Sequence, residues 1–219
     1  RNLVNDFSIT GTLDGWTIQG GEGGYLATDL QGTGLHAVSI ADDGQLVSDQ
    51  FEIDFTRSYK ITCRLSHYAG GQSQYFGIIF TDADGNGITS GQTFNVTGRN
   101  YTAGTTNPYF WYGLSATWAG TNTGFDHMSE FEAYLIAYGT PAEHVPPGKN
   151  AAWHFEIPPT AKKALIRIYN LAGNIGSELF VAGVSVTAMD SGEIHAGRIT
   201  SLSIDADKIA ANAITSDKI

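Results

Sequence analysis

The stretch "QFEIDFTRSYKITCRL", residues 50–65, decides how this chain is read. Phe51, Ile53 and Phe55 alternate with Glu52 and Asp54. After a short polar break, Tyr59, Ile61, Cys63 and Leu65 alternate with Lys60, Thr62 and Arg64. Side chains on a strand point to opposite faces in turn, so a two-residue period sends one apolar row to a core and one polar row to solvent.

The same signal recurs on both sides. "YFGIIF" (75–80) is a near-continuous apolar run, "FEAYLIAY" (131–138) and "KALIRIYN" (163–170) alternate or run apolar, and "LFVAGVSV" (179–186) closes the set. Clusters of Gly, Asn and Asp punctuate them. Helix-like sequence is confined to a turn at "PPTAKK" (158–163). Short strands at regular spacing predict an all-β chain with a jelly-roll β-sandwich over residues 1–188, interrupted by an aromatic-rich insert at about 95–150.

Composition agrees with this. Among 219 residues there are 27 glycines, 11% aromatic residues and only 16% charged ones, which suits loop-rich β structure rather than helical bundles. The formal net charge of −10 and the lack of a basic stripe exclude a nucleic-acid partner. No apolar run approaches membrane length, so no membrane insertion is expected. Cys63 is the single cysteine. It can form no internal disulfide and reads as a buried thiol. The sequence starts at Arg1 and stops in mid-repeat at Ile219, so it reads as a piece of a longer protein.

Past Met189 the pattern changes. Isoleucine falls at Ile194, Ile199, Ile204, Ile209, Ile214 and Ile219. Five helical residues rotate about 500°, which scatters the isoleucines around a helix, and an odd step flips faces on a flat strand. The period fits a unit of short extended backbone plus a turn that returns each Ile to one axis. A single-chain pentapeptide solenoid would turn Asp207, Asn212 and Asp217 inward, at a cost in unpaired polar groups. A wound stalk of several chains, most naturally a homotrimer, is favoured for 189–219. A helical or disordered tail is the plainer rival, since "DADKIAANA" holds fair helix formers.

Two resemblances can now be stated. "NLVNDFS" followed by "DGW", then "YKITCRL", "YFGIIFTDADGNGI", "WHFEIPPTAKKALIRIYN" and "LFVAGVSV", resemble in their order the jelly-roll carbohydrate-binding modules over most of residues 1–187. The closing "ITSLSIDADKIAANAITSDKI" is similar to repeats of bacteriophage tail-tip and tail-fibre proteins. Together they imply a virion protein of the phage tail, a sandwich on a trimeric shaft. Its partners would be sister chains, other tail proteins and a host cell-surface glycan. The rival implications are a purely structural tail decoration or adaptor domain, and an accessory sugar-binding module of a secreted glycanase. The first resemblance also implies a structural calcium near the N-terminus, where Asn5 and Asp6 stand.

The segment "GRNYTAGTTNPYFWYGLSATWAG" (98–120) is the main candidate for function. Tyr101, Tyr109, Phe110, Trp111, Tyr112 and Trp118 sit there among Gly, Thr and Asn. Aromatic planes stack on the C–H faces of sugar rings, and Trp and Tyr offer large area with few rotors. Trp111, Tyr112, Trp118 and Tyr109 are the expected sugar contacts, although consecutive strand residues cannot all face one ligand. The competing reading packs them into the insert's own core or against a neighbouring chain. Tyr25, Tyr68 and Tyr75 are rim candidates, while Trp16 and Trp153 are expected in the core.

Other signals are weaker. In "DADGNG" (82–87), Asp82, Asp84 and Asn86 match the start of a calcium loop, but the twelfth position is Thr93 rather than Glu. A hairpin turn explains the same residues. "FDHMSEFE" offers Asp126, His127, Glu130 and Glu132 for acid–base work, yet such carboxylates are usually solvated or paired. "GLSATW" lacks the second Gly of a nucleophile elbow, and the six histidines show no zinc spacing. His195 adjoins a stalk Ile, where three copies could meet a metal, though an outward ring is the simpler expectation. "NVT" and "NYT" are sequons that would be chance in a bacterial virus. The chain is therefore expected to be non-enzymatic.

Overall fold

The computed structural model describes residues 1–21, 24–27, 34–41, 43–68, 73–88, 93–96, 99–102, 109–113, 128–140, 153–171 and 178–189. In chain order these form α1 (Phe7–Thr10), β1 (Trp16–Gln19), β2 (Gly24–Ala27), β3 (Ala37–Ile40), β4 (Gln45–Ser48), β5 (Phe51–Glu52), β6 (Tyr59–Tyr68) and β7 (Ser73–Thr81). They continue with β8 (Thr93–Val96), β9 (Arg99–Thr102), β10 (Tyr109–Gly113), β11 (Ser129–Ile136), β12 (Trp153–Glu156), β13 (Lys163–Leu171) and β14 (Glu178–Ala188). The chain divides into Arg1–Met189 and Asp190–Ile219. The isoleucine series and His195 belong to the second unit and lie outside the described residues.

Two six-stranded sheets make the first unit. The β6 sheet runs β12-β11-β6-β14-β3-β2, and the β7 sheet runs β1-β4-β13-β7-β10 with β5 also pairing β13. Strands β11 and β12 are parallel, and the remaining described pairs are antiparallel. The consecutive strands β6 and β7 lie in different sheets, as do β13 and β14. Yet β6 neighbours β14, and β7 neighbours β13. The chain thus changes sheet twice side by side, as in a β-sandwich of jelly-roll type.

Alternation sets what lies between the sheets. Leu46, Phe76, Ile78, Ile166 and Ile168 of the β7 sheet face Ile61, Leu65, Leu135, Val181 and Val186 of the β6 sheet, and all are buried. The Phe76 ring sits 4.8 Å from Phe131 and 6.3 Å from Phe155, which ties the sheets at their middle. Tyr59, Ile61, Cys63 and Leu65 are buried along β6, in line with their two-residue spacing. Burial pushes the Cys63 thiol far above its ordinary range, which leaves it a small apolar side chain.

The run 51–55 gives less strand than its alternation suggests. Only Phe51–Glu52 pair as β5. Asp54 Oδ1 accepts hydrogen bonds from the Thr56 N–H and hydroxyl at 2.8 and 2.7 Å, and its own N–H donates to the Tyr59 hydroxyl at 2.8 Å. These local bonds turn the chain out of one sheet toward the other, and side-chain chemistry overrides the apolar period.

The N-terminus carries a short helix that its sequence pattern does not announce. Asp6 caps α1 by accepting from Ser8 N–H at 3.1 Å, and Gly11 ends it at φ 68°. Burial holds the Asp6 carboxyl above its usual range against the pull of its two hydrogen bonds with Ser8. Trp16 is core, as its place after the "DG" turn suggests. Its ring meets Phe7 edge-on at 5.6 Å, and its indole N–H donates to Asn5 O at 2.8 Å. Asn2 pairs with Thr187, and Asn2 Oδ1 accepts from Val186 N–H at 2.7 Å, so the first residues run beside the end of β14.

Candidate functional site: the outer face of the β7 sheet

Residues on β4, β13 and β7 that do not enter the core line up in rungs across the sheet. One rung reads Gln45, Tyr169, Tyr75 and Gly113, and the next reads Val47, Arg167, Gly77 and Trp111. A third holds Leu165, Ile79 and Tyr109. Gln45, Val47, Leu165, Arg167, Tyr169 and Tyr75 are half-buried, whereas Leu46, Ile166, Ile168, Phe76 and Ile78 beside them are fully buried. The strand period therefore presents one row to solvent on a rigid sheet.

That row has the chemistry of an amphipathic ligand platform. The Tyr75 and Tyr169 rings lie 6.5 Å apart, tilted by 33°. Arg167 Nε donates to Gln45 Oε1, which fixes the guanidinium beside the tyrosines. Asp43, exposed on the turn before β4, completes the group. Desolvation first, then the nearby Asp43 carboxylate, raises the Tyr169 phenol above its ordinary range, while Arg167 acts in the opposite direction. At neutral pH both phenols are thus neutral donors next to one fixed cation and one anion.

The residues singled out in the sequence fall in several places. Tyr109, Trp111 and Tyr112 lie on β10 at the edge of this same sheet, opposite Ile79, Gly77 and Phe76. The alternation of β7 aligns positions 109 and 111 with its outer row and position 112 with its inner row. Trp118 lies outside the described residues. Tyr75, a rim candidate, stands inside the site. Tyr25 and Tyr68 are on β2 and β6 of the other sheet, and Tyr101 is on β9. Of the segment 95–150, residues 109–113 and 129–136 are strands of the two main sheets.

Sequence reasoning missed Tyr169, Arg167, Gln45 and Asp43. A usable signal existed for two of them. In "KALIRIYN", Arg167 and Tyr169 share parity and alternate with Ile166 and Ile168, which assigns them to the outer face.

The remaining candidates resolve locally. "DADGNG" forms a hairpin turn. Asp82 Oδ1 accepts from the Asp84 and Asn86 N–H groups at 3.0 and 2.9 Å, and Gly85 has φ 82°. No group of three metal-capable side chains occurs among the described residues. Asn5 donates to Thr12 O at 3.1 Å, and Asp6 is spent on its helix cap. Glu132 is paired, with Lys60 Nζ at 2.7 Å and the Tyr134 hydroxyl donating to it at 3.2 Å. Glu130 is exposed, while Asp126 and His127 lie outside the described residues. No described helix is long and apolar enough to cross a membrane.

No family model and no curated protein matches the sequence. Solved structures do. The enzymatically active domain of bacteriophage CBA120 tailspike protein 4 is similar over 86% of this chain with a TM-score of 0.52 at 12% identity. This chain covers 21% of that tailspike, so the likeness concerns a minor part of it. TmCBM61 in complex with β-1,4-galactotriose matches over 86% of this chain and 99% of its own, with a TM-score of 0.45 at 11% identity. The CBM22-1–GH10 modules of Clostridium thermocellum xylanase 10B, complexed with xylohexaose, match with a TM-score of 0.45 at 14% identity, over 86% of this chain and 28% of theirs. The likeness to the tailspike domain shows a shared fold, the β-sandwich described above.

Proposed function

We propose that this chain is a segment of a phage tail tip or tail fibre whose sandwich binds a glycan on the host surface without catalysis. The observation that carries the reading is the outer row of the β7 sheet. A tyrosine pair beside a fixed guanidinium and amide supplies both the apolar plane and the directional hydrogen bonds that a sugar ring needs. Strand β10, with Tyr109, Trp111 and Tyr112, extends the same sheet, and Trp118 follows it in sequence. The likeness to a tailspike fold and the phrase "DADKIAANAITSDKI" support the tail setting.

In this reading the isoleucine repeat joins three chains, and the shaft connects them to other tail proteins. Three weak sites on one shaft gain avidity of roughly 10²–10⁴ over a single site when their spacing fits the surface. Glycan-array and whole-cell binding test the proposal, with Tyr75→Ala, Tyr169→Ala, Trp111→Ala and Trp118→Ala as variants. Binding by the wild type that falls in the Tyr75 and Tyr169 variants is the expected result. A wild type that binds neither glycan nor cell leaves the structural-adaptor role in its place. Light scattering tests the assembly, since a monomer in solution overturns the trimer.

A further inference from the structure

Building on that glycan-binding role, we infer that the ligand carries a carboxylate, as an acidic, uronic-acid-like sugar does, and that Arg167 is the residue selecting it. Four observations point there. Arg167 occupies the middle of the outer row, one rung from the Tyr75–Tyr169 pair, so a ring resting on the tyrosines brings a substituent to the guanidinium. Gln45 holds Arg167 through Nε, which orients a planar donor fork that matches a carboxylate better than a single hydroxyl. The position beside Arg167 on β7 is Gly77, which has no side chain to stand over the cation. The charges around it are arranged unequally. Lys163, on the same face of β13, is engaged by Glu52 at 3.4 Å, and Asp43 stands on the Tyr169 side.

This arrangement gives the sugar a direction. Its carboxylate lies toward Arg167, and its hydroxyls lie toward Asp43 and Gln45, which accept hydrogen bonds. The chain as a whole carries a net charge of −10, which repels polyanions at long range. Any preference for acidic over neutral glycans must therefore arise locally, and that makes it diagnostic of Arg167.

The experiment uses the full chain at fixed ionic strength. Polygalacturonate, alginate and sialylated oligosaccharides are each compared with their carboxyl-reduced neutral forms and with sulfated glycans. We expect carboxyl reduction to weaken binding by about tenfold or more, and Arg167→Gln to remove that difference with little effect on neutral forms. Arg167→Lys restores only part of it, because it keeps charge but not the fork. Asp43 has φ 55°, a conformation that Asn adopts readily, so Asp43→Asn removes the opposing charge without backbone strain. It is expected to raise affinity for the acidic forms by about two- to fivefold, and it stands as the second variant should Arg167→Gln misfold. Equal binding to acidic and reduced forms, or binding to sulfated glycans alone, overturns the carboxylate inference and leaves glycan binding intact. No binding to any glycan overturns both.

Discussion

The outer faces of the two sheets use similar residues for opposite ends. On the β6 sheet, Tyr134 stacks on His154 with ring centroids 5.3 Å apart, and both are 5% exposed. Lys60 and Tyr134 both hold Glu132 there, and the Lys60 ammonium lies 6.0 Å from the Tyr134 ring. On the β7 sheet, Tyr75, Tyr169, Arg167 and Gln45 form a comparable set of rings, cation and acceptor, but all four are half-exposed. Ring and charge together therefore do not define a binding site. Where the set is closed it contributes to stability, and where it is open it is available to a ligand.

The comparison can be broken most forcefully at Tyr134. Tyr134→Ala empties a buried ring position and is expected to cost about 2–4 kcal/mol, or roughly 4–16 °C in melting temperature at this size. Glycan affinity should stay unchanged. Calorimetric melting alongside a binding titration checks both, and a Tyr134→Ala protein that melts normally would erase the contrast between the faces. The reverse pattern is expected for Tyr75→Ala with Tyr169→Ala, about 1–3 kcal/mol lost from glycan binding and under about 1 kcal/mol from folding.

A finer contrast concerns pH. Hydrogen bonding to Glu132 raises the Lys60 pKa above its ordinary value. The stability this contributes is fully present below the unfolded-state value and is lost as pH rises through the higher folded one. Melting temperature should therefore fall in the alkaline range. Lys60 is 37% exposed, so the effect is small, about 0.5 kcal/mol. Lys60→Met should flatten this part of the alkaline profile, and an unchanged profile would deny the pair its role. Smaller still in reach is Gly183, where β14 bulges against β6 at φ 61°. Gly183→Ala should cost about 1 kcal/mol through backbone strain, since its new Cβ would meet only Arg64 at 3.9 Å.

The sandwich was legible because its strands keep period two for long runs. "YKITCRL", "KALIRIYN" and "LFVAGVSV" each became a central strand with the expected residues inside. The four-residue α1 was not, because it rests on one Asp cap and one Gly stop rather than on any apolar period. β5 shrank because Asp54 and Thr56 bond locally. The site was half legible. Aromatic density drew attention to 98–120, and β10 does edge the relevant sheet, but density says nothing about which strands become neighbours. Tyr75 and Tyr169 are distant in sequence and meet only because β7 and β13 pair. Arg167 and Gln45 are likewise joined by register alone, which no local pattern encodes.

The pairing of Asn2 with Thr187 has a practical consequence. The first and last strand-forming residues of the sandwich exit as neighbours, so the module has a single point of attachment, like a pendant. Such a unit can be grafted into a surface loop of an unrelated carrier with short tethers on both sides.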